Sequence, residues 1–244
     1  MKLKVELHSH TNFDPCDPIE YSAEQLIEAA AAQGYQALAI TCHDALQWSR
    51  DLEAYAASLN VLLLPGVEAT IEGKHVLIYG IERFTPIPTF QALHEFRRAN
   101  PKALILAPHP FFPGSTCMGT RLLAHQECFD GIEYCHFYSK AINFNQKAHD
   151  ASVLFRKPLV GTGDVHFFNQ LGKTYSYVYA REKSVSAVIS AIKAGELELV
   201  TRPLTTLEFL KLTLQLERIR YKGVFYRAGW FQKPPIKTIS SAEE

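Results

Sequence analysis

The chain has 244 residues and a formal net charge of zero, because 25 Lys and Arg balance 25 Asp and Glu. A protein whose main task is to coat nucleic acid has a basic surplus, which is missing here. With 47% hydrophobic residues, the composition also excludes a disordered chain. A length of about 200–250 residues suits a single α/β barrel domain.

The cysteines and the N-terminus indicate a cellular compartment. The five cysteines are scattered and form no Cys-x-x-Cys pair, which is typical of proteins in a reducing cytosol. The N-terminus, MKLKVELHSHT, has no apolar run of signal-peptide length. No stretch approaches the roughly 18 apolar residues of a membrane span. We therefore expect a cytoplasmic protein without a membrane span.

Apolar patterning and helix-cap signals predict strands and helices that alternate along most of the chain. Ser22 and Gln25 form a capping box ahead of a helix over residues 23–33, and Gly34 closes that helix. Further helices are predicted over residues 51–59, 89–99, 141–154 and 185–193. Strands are predicted over residues 3–7, 35–41, 61–64, 103–107, 131–135, 158–161 and 174–180, with a hairpin of residues 68–72 and 75–79. This order is typical of an α/β fold with parallel strands.

The last 40 residues differ from the rest of the chain. Residues 207–220 predict an amphipathic helix, and an aromatic and basic stretch follows it. We therefore divide the chain into a barrel over residues 1–205 and a C-terminal helix and tail over residues 206–244. Three roles remain open for the helix: packing on the barrel, contact with a partner or a second copy of the chain, and contact with a membrane surface.

Histidines and carboxylates stand at the ends of the predicted strands: His8, His10, His43, Glu68, His109, Asp164 and His166. In barrels of parallel strands the active site lies at the carboxyl ends of several strands, so we expect these side chains to converge. Residues two apart on a strand face the same side. The H-x-H pair, His8 and His10, can therefore reach one ion, and so can the D-x-H pair, Asp164 and His166. Imidazole and carboxylate are the ligands of zinc, manganese and iron in hydrolytic sites.

The number of candidate ligands indicates more than one metal ion. One zinc ion takes three or four protein ligands, and this set offers about twice as many. A carboxylate such as Glu68 can bridge two cations, which in two-metal sites stand about 3.5–4 Å apart. The sequence has no G-x-S-x-G elbow, P-loop or G-x-G-x-x-G motif. It therefore predicts hydrolysis that depends on metal ions rather than on a protein nucleophile.

These residues resemble the PHP (polymerase and histidinol phosphatase) domain superfamily of metal-dependent phosphoesterases. Five segments carry the resemblance: HSHT at residues 8–11, AITCHD at 39–44, LPGVE at 64–68 with His75, APHP at 107–110 and DVH at 164–166. The likeness spans about residues 3–180. It implies a distorted (β/α)7 TIM-like barrel with an extra C-terminal helix, and two or three divalent ions of manganese, zinc or iron.

The resemblance also implies how the ligands divide among the ions. One ion would be held by His8, His10, Glu68 and Asp164. A second would be held by Glu68, His75 and His109. A third would be held by His43, His166 and an acidic residue of the loop at residues 14–17.

The sequence departs from the family pattern at two points. Cys42 stands where the I-T-D-H motif has aspartate, although Asp44 follows closely. The loop ligand has no equivalent at the usual offset, because Pro15 and Cys16 occupy that place. We favour Asp17 as this ligand over Asp14. The departures concern the third metal site and leave the first two intact.

Our first interpretation is a phosphoesterase that acts on a phosphomonoester, a nucleotide or an oligonucleotide end, with catalytic roles for His109, Asp164 and His166. The neutral charge favours a small phosphorylated substrate over a stable nucleic-acid complex. One alternative is an amidohydrolase-type C–N hydrolase, and another is a catalytically silent metal-binding module. A homo-oligomer formed through the C-terminal helix is a further expectation.

The groups that would bind a phosphate are harder to choose from the sequence. Arg50, Arg121 and Lys140 are candidates because each is predicted to lie in a loop. His136 follows a predicted strand and is a candidate substrate contact.

Overall fold

The computed structural model describes residues 1–227, and the predicted tail at residues 228–244 lies outside this part of the chain. Over the described residues the chain forms nine strands and seven α-helices. The strands are β1 (Lys2–Glu6), β2 (Ala37–Ile40), β3 (Leu62–Ile71), β4 (Lys74–Tyr79), β5 (Leu104–Ala107), β6 (Gly131–Cys135), β7 (Leu159–Thr162), β8 (Thr174–Tyr179) and β9 (Leu197–Thr201). The helices are α1 (Ala23–Ala32), α2 (Arg50–Ser58), α3 (Phe90–Ala99), α4 (Arg121–His125), α5 (Asn145–Phe155), α6 (Val185–Lys193) and α7 (Thr206–Arg227).

The strands form one mixed sheet in the order β7-β6-β5-β4-β3-β2-β1-β8-β9. Strands β1, β2 and β3 run parallel, as do β5, β6 and β7. Strands β4 and β8 run antiparallel to their neighbours, so the sheet is mixed, and the antiparallel β4 belongs to the predicted hairpin. The chain reverses after β3 at Glu72 and Gly73, whose φ angles of 47° and 74° suit a tight hairpin turn.

The sheet curls into a nearly closed barrel, because its edge strand β7 approaches β8. The Ser176 hydroxyl accepts a hydrogen bond from the Gly161 N–H at 2.9 Å and donates one to the Gly161 carbonyl at 3.1 Å. A Cβ at Gly161 would lie 2.7 Å from the Tyr175 carbonyl oxygen, so only glycine permits this approach. The predicted α/β barrel with an extra C-terminal helix is confirmed.

The hydrophobic core has an inner part and an outer part. Alternate residues of the strands fill the barrel and meet α6 at Val188 and Ile192. Two outer clusters pack the helices on the sheet, one under α1 and α2 and the other under α3 and α5. The apolar layers hold the strand ends in place, so the polar rim does not have to stabilise the barrel.

Most predicted elements are present within a few residues of their predicted bounds. The Ser22–Gln25 capping box forms, and Gly34 has a φ of 75° directly after α1. The predicted end of a strand before Pro65 is wrong, because β3 continues through it. Proline donates no hydrogen bond, but the Pro65 carbonyl accepts one from the Gly80 N–H at 2.9 Å and keeps the strand paired.

Helix α7 is longer than predicted and begins with its own capping box. The Thr205 hydroxyl accepts from the Glu208 N–H, and the Glu208 carboxylate accepts from the Thr205 N–H. Glu208 also pairs with Lys173 and Arg202 of the barrel. Farther along, Ile219 is buried. Within residues 1–227, no helix has the length and apolar character needed to cross a bilayer.

Candidate metal centre

The predicted strand-end residues gather at one rim of the barrel. His8 and His10 follow β1, His43 follows β2, and His109 follows β5. Asp164 and His166 follow β7, while the antiparallel β4 begins at this rim and brings in His75. Glu68 lies within β3 rather than at its end, at the point where a single bridge pairs it with His43. The structure therefore brings together all the residues for which the sequence predicts a shared site.

The Glu68 carboxylate stands at the centre of this cluster and is 1% exposed. Its Oε2 lies 3.2 Å from His8 Nε2, 3.4 Å from His10 Nε2 and 3.1 Å from His43 Nε2. Its Oε1 lies 2.7 Å from His75 Nδ1 and 3.2 Å from His109 Nε2. Five imidazoles therefore face the two oxygens of one carboxylate, which is the arrangement that a bridging ligand requires.

Asp164 is the second carboxylate of the cluster. Its Oδ1 lies 3.3 Å from His8 Nε2, 3.5 Å from His10 Nε2 and 3.5 Å from His166 Nδ1. Ligands bound at about 2.1 Å to one tetrahedral ion are about 3.4 Å apart. The separations around Glu68 and Asp164 therefore match donor atoms that share an ion.

Unpaired nitrogen atoms provide the test of whether metal ions fit. His8 Nε2 and His10 Nε2 are fully buried and have no aligned hydrogen-bond partner. A buried polar atom without a partner is costly, and an ion bound to its lone pair removes that cost. The Nδ1 atoms of the two rings are already hydrogen-bonded, that of His8 to Glu133 and that of His10 to Asp14. The two Nε2 atoms therefore face the cluster. The donor set is therefore suited to divalent cations.

The cluster contains overlapping groups of three residues in which the three donor atoms, one from each residue, lie within 4.8 Å of one another. These groups show how the ligands could be shared. They are His8/His10/Glu68, His8/His109/Asp164, His10/Asp164/His166, His43/Glu68/His75 and His10/Asp14/His43. The first three groups contain the four residues predicted for the first ion. His75 and His109 both approach Glu68 Oε1, as predicted for a second ion. His43 approaches Glu68 Oε2 and His166 approaches Asp17 Oδ2, and the division around the third ion stays a prediction.

Opposite charges hold the cluster together electrostatically. Burial alone would lower the pKa of His8, but Asp164, Glu68 and Glu133 outweigh it and raise that pKa well above its usual value. The same balance raises the pKa of His43 to about 10 and that of His166 to about 9. Although burial opposes it, the nearby imidazoles hold the pKa of Glu68 well below its usual value. Incoming cations would replace the protons on these imidazoles, so metal binding should release protons.

Glu133, in the middle of β6, is a positioning residue that sequence analysis missed. Its Oε1 accepts a hydrogen bond from His8 Nδ1 at 2.8 Å and another from the Thr162 hydroxyl. Its Oε2 accepts from the His109 N–H at 2.5 Å. A carboxylate that holds the second nitrogen of a metal-binding histidine fixes the ring and its tautomer. A glutamate at the centre of the strand segment GIEYC was the signal available in the sequence, and the structure buries it fully.

We expect Glu133→Gln to weaken metal affinity or activity by about 10–100-fold, the usual cost of losing such an outer partner. The amide can keep one hydrogen bond but cannot balance the charge of His8. Manganese titration by calorimetry measures the effect, with the exposed Glu127→Gln as the matched control. An affinity equal to that of the control would show that Glu133 does not position His8.

Glu6 ties the ends of β1 and β7 together. Its Oε1 accepts hydrogen bonds from the N–H groups of Leu7, His8 and Gly163, at 2.8–3.0 Å. Burial raises the pKa of this carboxyl to about 8. The link fixes the backbone that carries His8 and Asp164. His109 and Asp164 themselves have φ angles of 28° and 42°, a left-handed backbone that non-glycine residues seldom adopt outside functional sites.

The two aspartates of the first loop have different surroundings. The Asp14 Oδ2 is 2.8 Å from His10 Nδ1 and 2.9 Å from His43 Nδ1, and it also accepts from the His43 N–H. Asp14 is fully buried and orients these two rings from behind. Asp17 lies at the mouth instead, with Oδ2 3.1 Å from His166 Nε2. The contacts thus give Asp14 a positioning role and leave Asp17 as our proposed loop ligand.

Asp17→Ala is expected to lower the metal content of the purified protein by about one equivalent, because one carboxylate ligand of the third ion is lost. Elemental analysis after loading with manganese measures the change, and Asp51→Ala on the exposed start of α2 is the control. An unchanged metal content would show that Asp17 is not a ligand and favour a two-ion site.

The structure also places the residues at the two departures from the family pattern. Cys42 is buried against the hydroxyl of Thr11, and burial raises the pKa of its thiol to about 12. Cys42 is therefore a neutral packing residue. Asp44 does not replace the missing carboxylate, because its Oδ1 accepts from the Thr70 N–H at 2.7 Å and fixes the β3 backbone.

The three cations considered for substrate contact lie at the surface, whereas His136 is buried beside the cluster. Arg50 pairs with Glu53 and Glu82, and Arg121 pairs with Glu72, all at the surface. Lys140 is exposed and does not line the cavity at the mouth. His136 is 1% exposed, and its Nε2 accepts a hydrogen bond from Gln170.

Comparison with known proteins finds a family model that matches part of this chain. The sequence model of the PHP domain matches residues 6–111. The PolC-type DNA polymerase III of Lactococcus lactis subsp. lactis is 38% identical over 77 residues, and that of Oceanobacillus iheyensis is 40% identical over 70 residues. These matches span 31% and 29% of this chain. They span only 5% of either polymerase.

Solved structures share the fold over a larger part of the chain. A two-domain protein from Bacteroides vulgatus, described as containing a predicted PHP-like metal-dependent phosphoesterase, has a TM-score of 0.65 and 19% identity over 88% of this chain and 70% of its own. PsfC from Pseudomonas syringae has a TM-score of 0.62 and 16% identity over 94% of this chain and 99% of its own. The lesion-specific endonuclease PfuEndoQ from Pyrococcus furiosus has a TM-score of 0.51 and 15% identity over 82% of this chain and 58% of its own. At these identities the likeness is one of fold. Residues 6–111 therefore match the PHP domain, and the barrel as a whole is similar in fold to structures described as PHP-like.

Proposed function

We propose that this protein hydrolyses a phosphate ester with two or three divalent cations of manganese, zinc or iron. The observation that carries the proposal is the convergence of five imidazoles on the two oxygens of Glu68, with Asp164 beside them. Nine residues would hold the ions: His8, His10, Asp17, His43, Glu68, His75, His109, Asp164 and His166. Bound cations would supply an acidified water and neutralise charge on the phosphate oxygens.

The protein's own residues would position the substrate and move protons. A cavity of about 780 Å³ opens at the mouth between Asp17, His43, His75 and His166, and it is the entrance for the ester. His166 is at this opening and Asp164 is partly exposed beside it, so both can reach a leaving alkoxide. Together with His109 they are our candidates for catalytic residues.

Small phosphomonoesters, nucleotides and oligonucleotide ends all fit the chemistry of the cluster. The zero net charge supports a small phosphorylated substrate rather than a stable complex with a long nucleic acid. The polymerase and endonuclease names belong to the relatives, and the short match to the polymerases gives no substrate for this chain.

The test is a panel of phosphate esters assayed after purification without oxygen and loading with manganese. We expect phosphate release that a chelator abolishes and that manganese restores. An amide and deaminase panel run in parallel addresses C–N hydrolysis. Turnover of an amide but of no ester would replace our proposal with the amidohydrolase-type alternative. Stoichiometric metal without turnover on either panel would favour a silent metal-binding module.

A further inference from the structure

Helix α7 forms one wall of the cavity at the mouth of the metal centre. Leu216, Glu217, Ile219 and Arg220 line the cavity from this helix, and His43, His75 and His166 line it from the barrel. The C-terminal helix is therefore not only packed on the barrel. It faces the same space that a substrate must enter.

Arg220 supplies the positive charge of this wall. Among the cavity-lining residues of the described part of the chain, it is the one Lys or Arg. Its guanidinium lies 3.7 Å from Glu217 one turn earlier, and the two side chains are 78% and 64% exposed. An exposed pair at this distance holds an arginine weakly. The guanidinium can therefore turn to another anion.

The start of the helix and the turn beside Arg220 are both held against the barrel. Glu208 pairs with Lys173 and Arg202 at the start of α7, whereas the Lys222–Glu20 pair near Arg220 is exposed and adds little. Ile219 is 7% exposed and anchors the turn next to Arg220. The helix thus presents the arginine to the cavity from a fixed backbone, which lowers the entropic cost of using it in binding.

We propose that Arg220 binds a phosphate oxygen of the substrate at the mouth, across the cavity from the histidine and glutamate cluster. This inference rests on the proposed phosphoesterase function. A planar guanidinium donates two parallel hydrogen bonds to a phosphate and keeps its charge at every working pH. Cations in the cluster would contact one side of the phosphate, and Arg220 contacts an oxygen that faces solvent. The apolar side chains of Leu216 and Ile219 then lie beside the rest of the ester.

Lys211 offers a matched control on the same helix. It lies nine residues before Arg220, which is two and a half turns, so it projects from the opposite face. It is exposed and does not line the cavity. If the position of the charge matters, removing the charge of Arg220 changes phosphate binding and removing that of Lys211 does not.

The experiment compares Arg220→Gln, Arg220→Lys and Lys211→Gln in the full-length, manganese-loaded protein. We expect Arg220→Gln to raise the KM for p-nitrophenyl phosphate and the inhibition constant of inorganic phosphate by about tenfold each. The kcat should change less than about threefold, and the metal content should not change. Arg220→Lys should recover part of the loss, and Lys211→Gln should behave like the unmodified protein.

An unchanged KM and inhibition constant in Arg220→Gln, or an equal change in Lys211→Gln, would overturn the assignment. If the unmodified protein hydrolyses no ester, the phosphoesterase proposal fails, but phosphate binding still tests Arg220. Calorimetric titration of inorganic phosphate into the manganese-loaded protein should then show binding that Arg220→Gln weakens about tenfold. Equal phosphate affinity in both proteins would overturn the assignment independently of catalysis.

Discussion

Glu68→Gln is expected to reduce ester hydrolysis by more than the roughly 100-fold that loss of an outer hydrogen-bond partner costs. The carboxylate is the shared neighbour of five imidazoles and is almost fully buried. Glutamine keeps the size of the side chain but removes the charge and one oxygen. The metal-free variant therefore retains buried imidazoles without their counter-charge, and metal content should fall together with activity.

Glu72→Gln is the matched control for this change. Glu72 lies four residues farther along the chain, at the hairpin turn, and pairs at the surface with Arg121. The Glu72→Gln protein should retain its metal content and activity within about twofold, since exposed ion pairs contribute little. Full metal content and full activity in Glu68→Gln would show that this carboxylate does not bridge the ions.

Replacing both His8 and His10 by alanine is expected to remove metal binding while leaving the barrel folded. The apolar layers of the barrel lie below the rim and do not depend on these rings. Circular dichroism should therefore show unchanged secondary structure, while Tm should fall because the buried carboxylates lose part of their counter-charge.

Thermal unfolding with and without manganese gives the clearest measure of this loss. At 100 times its Kd, a ligand adds about 2.7 kcal/mol to the folded state, which raises Tm by roughly 5 °C or more for a chain of this size. The unmodified protein and His149→Ala, an exposed position, should both show the shift. The double variant should not. A full shift in the double variant would place metal binding elsewhere.

The sequence was most informative where a polar residue interrupted an apolar pattern at a strand end. His8 and His10 directly follow β1, and Asp164 and His166 directly follow β7, so their convergence could be predicted from fold class alone. Glu68 was predicted as a ligand and lies in the cluster, although β3 continues past it into a hairpin. The extent of β3 was not predicted, because Pro65 reads as a strand end until the pairing with β4 is known.

The residues that orient the ligands could not be assigned from the sequence. Glu133 lies inside β6, and its role depends on how β6 lies beside β5 and β7. Asp14 was considered as a ligand, and only its contacts with two imidazoles show that it orients them. Arg220 belongs to a helix whose position relative to the mouth is a tertiary property. Such assignments depend on distances between elements, which local patterns do not contain.

The most direct test of the account is a crystal structure of the manganese-loaded protein, with anomalous diffraction recorded to locate the ions. We expect two or three peaks at the rim, with one between His8, His10, Glu68 and Asp164 and a second next to His75 and His109. Glu68 should contact two of the ions. A crystal grown with saturating manganese that shows no peak beside Glu68 would contradict the claim that these imidazoles and carboxylates form a metal centre.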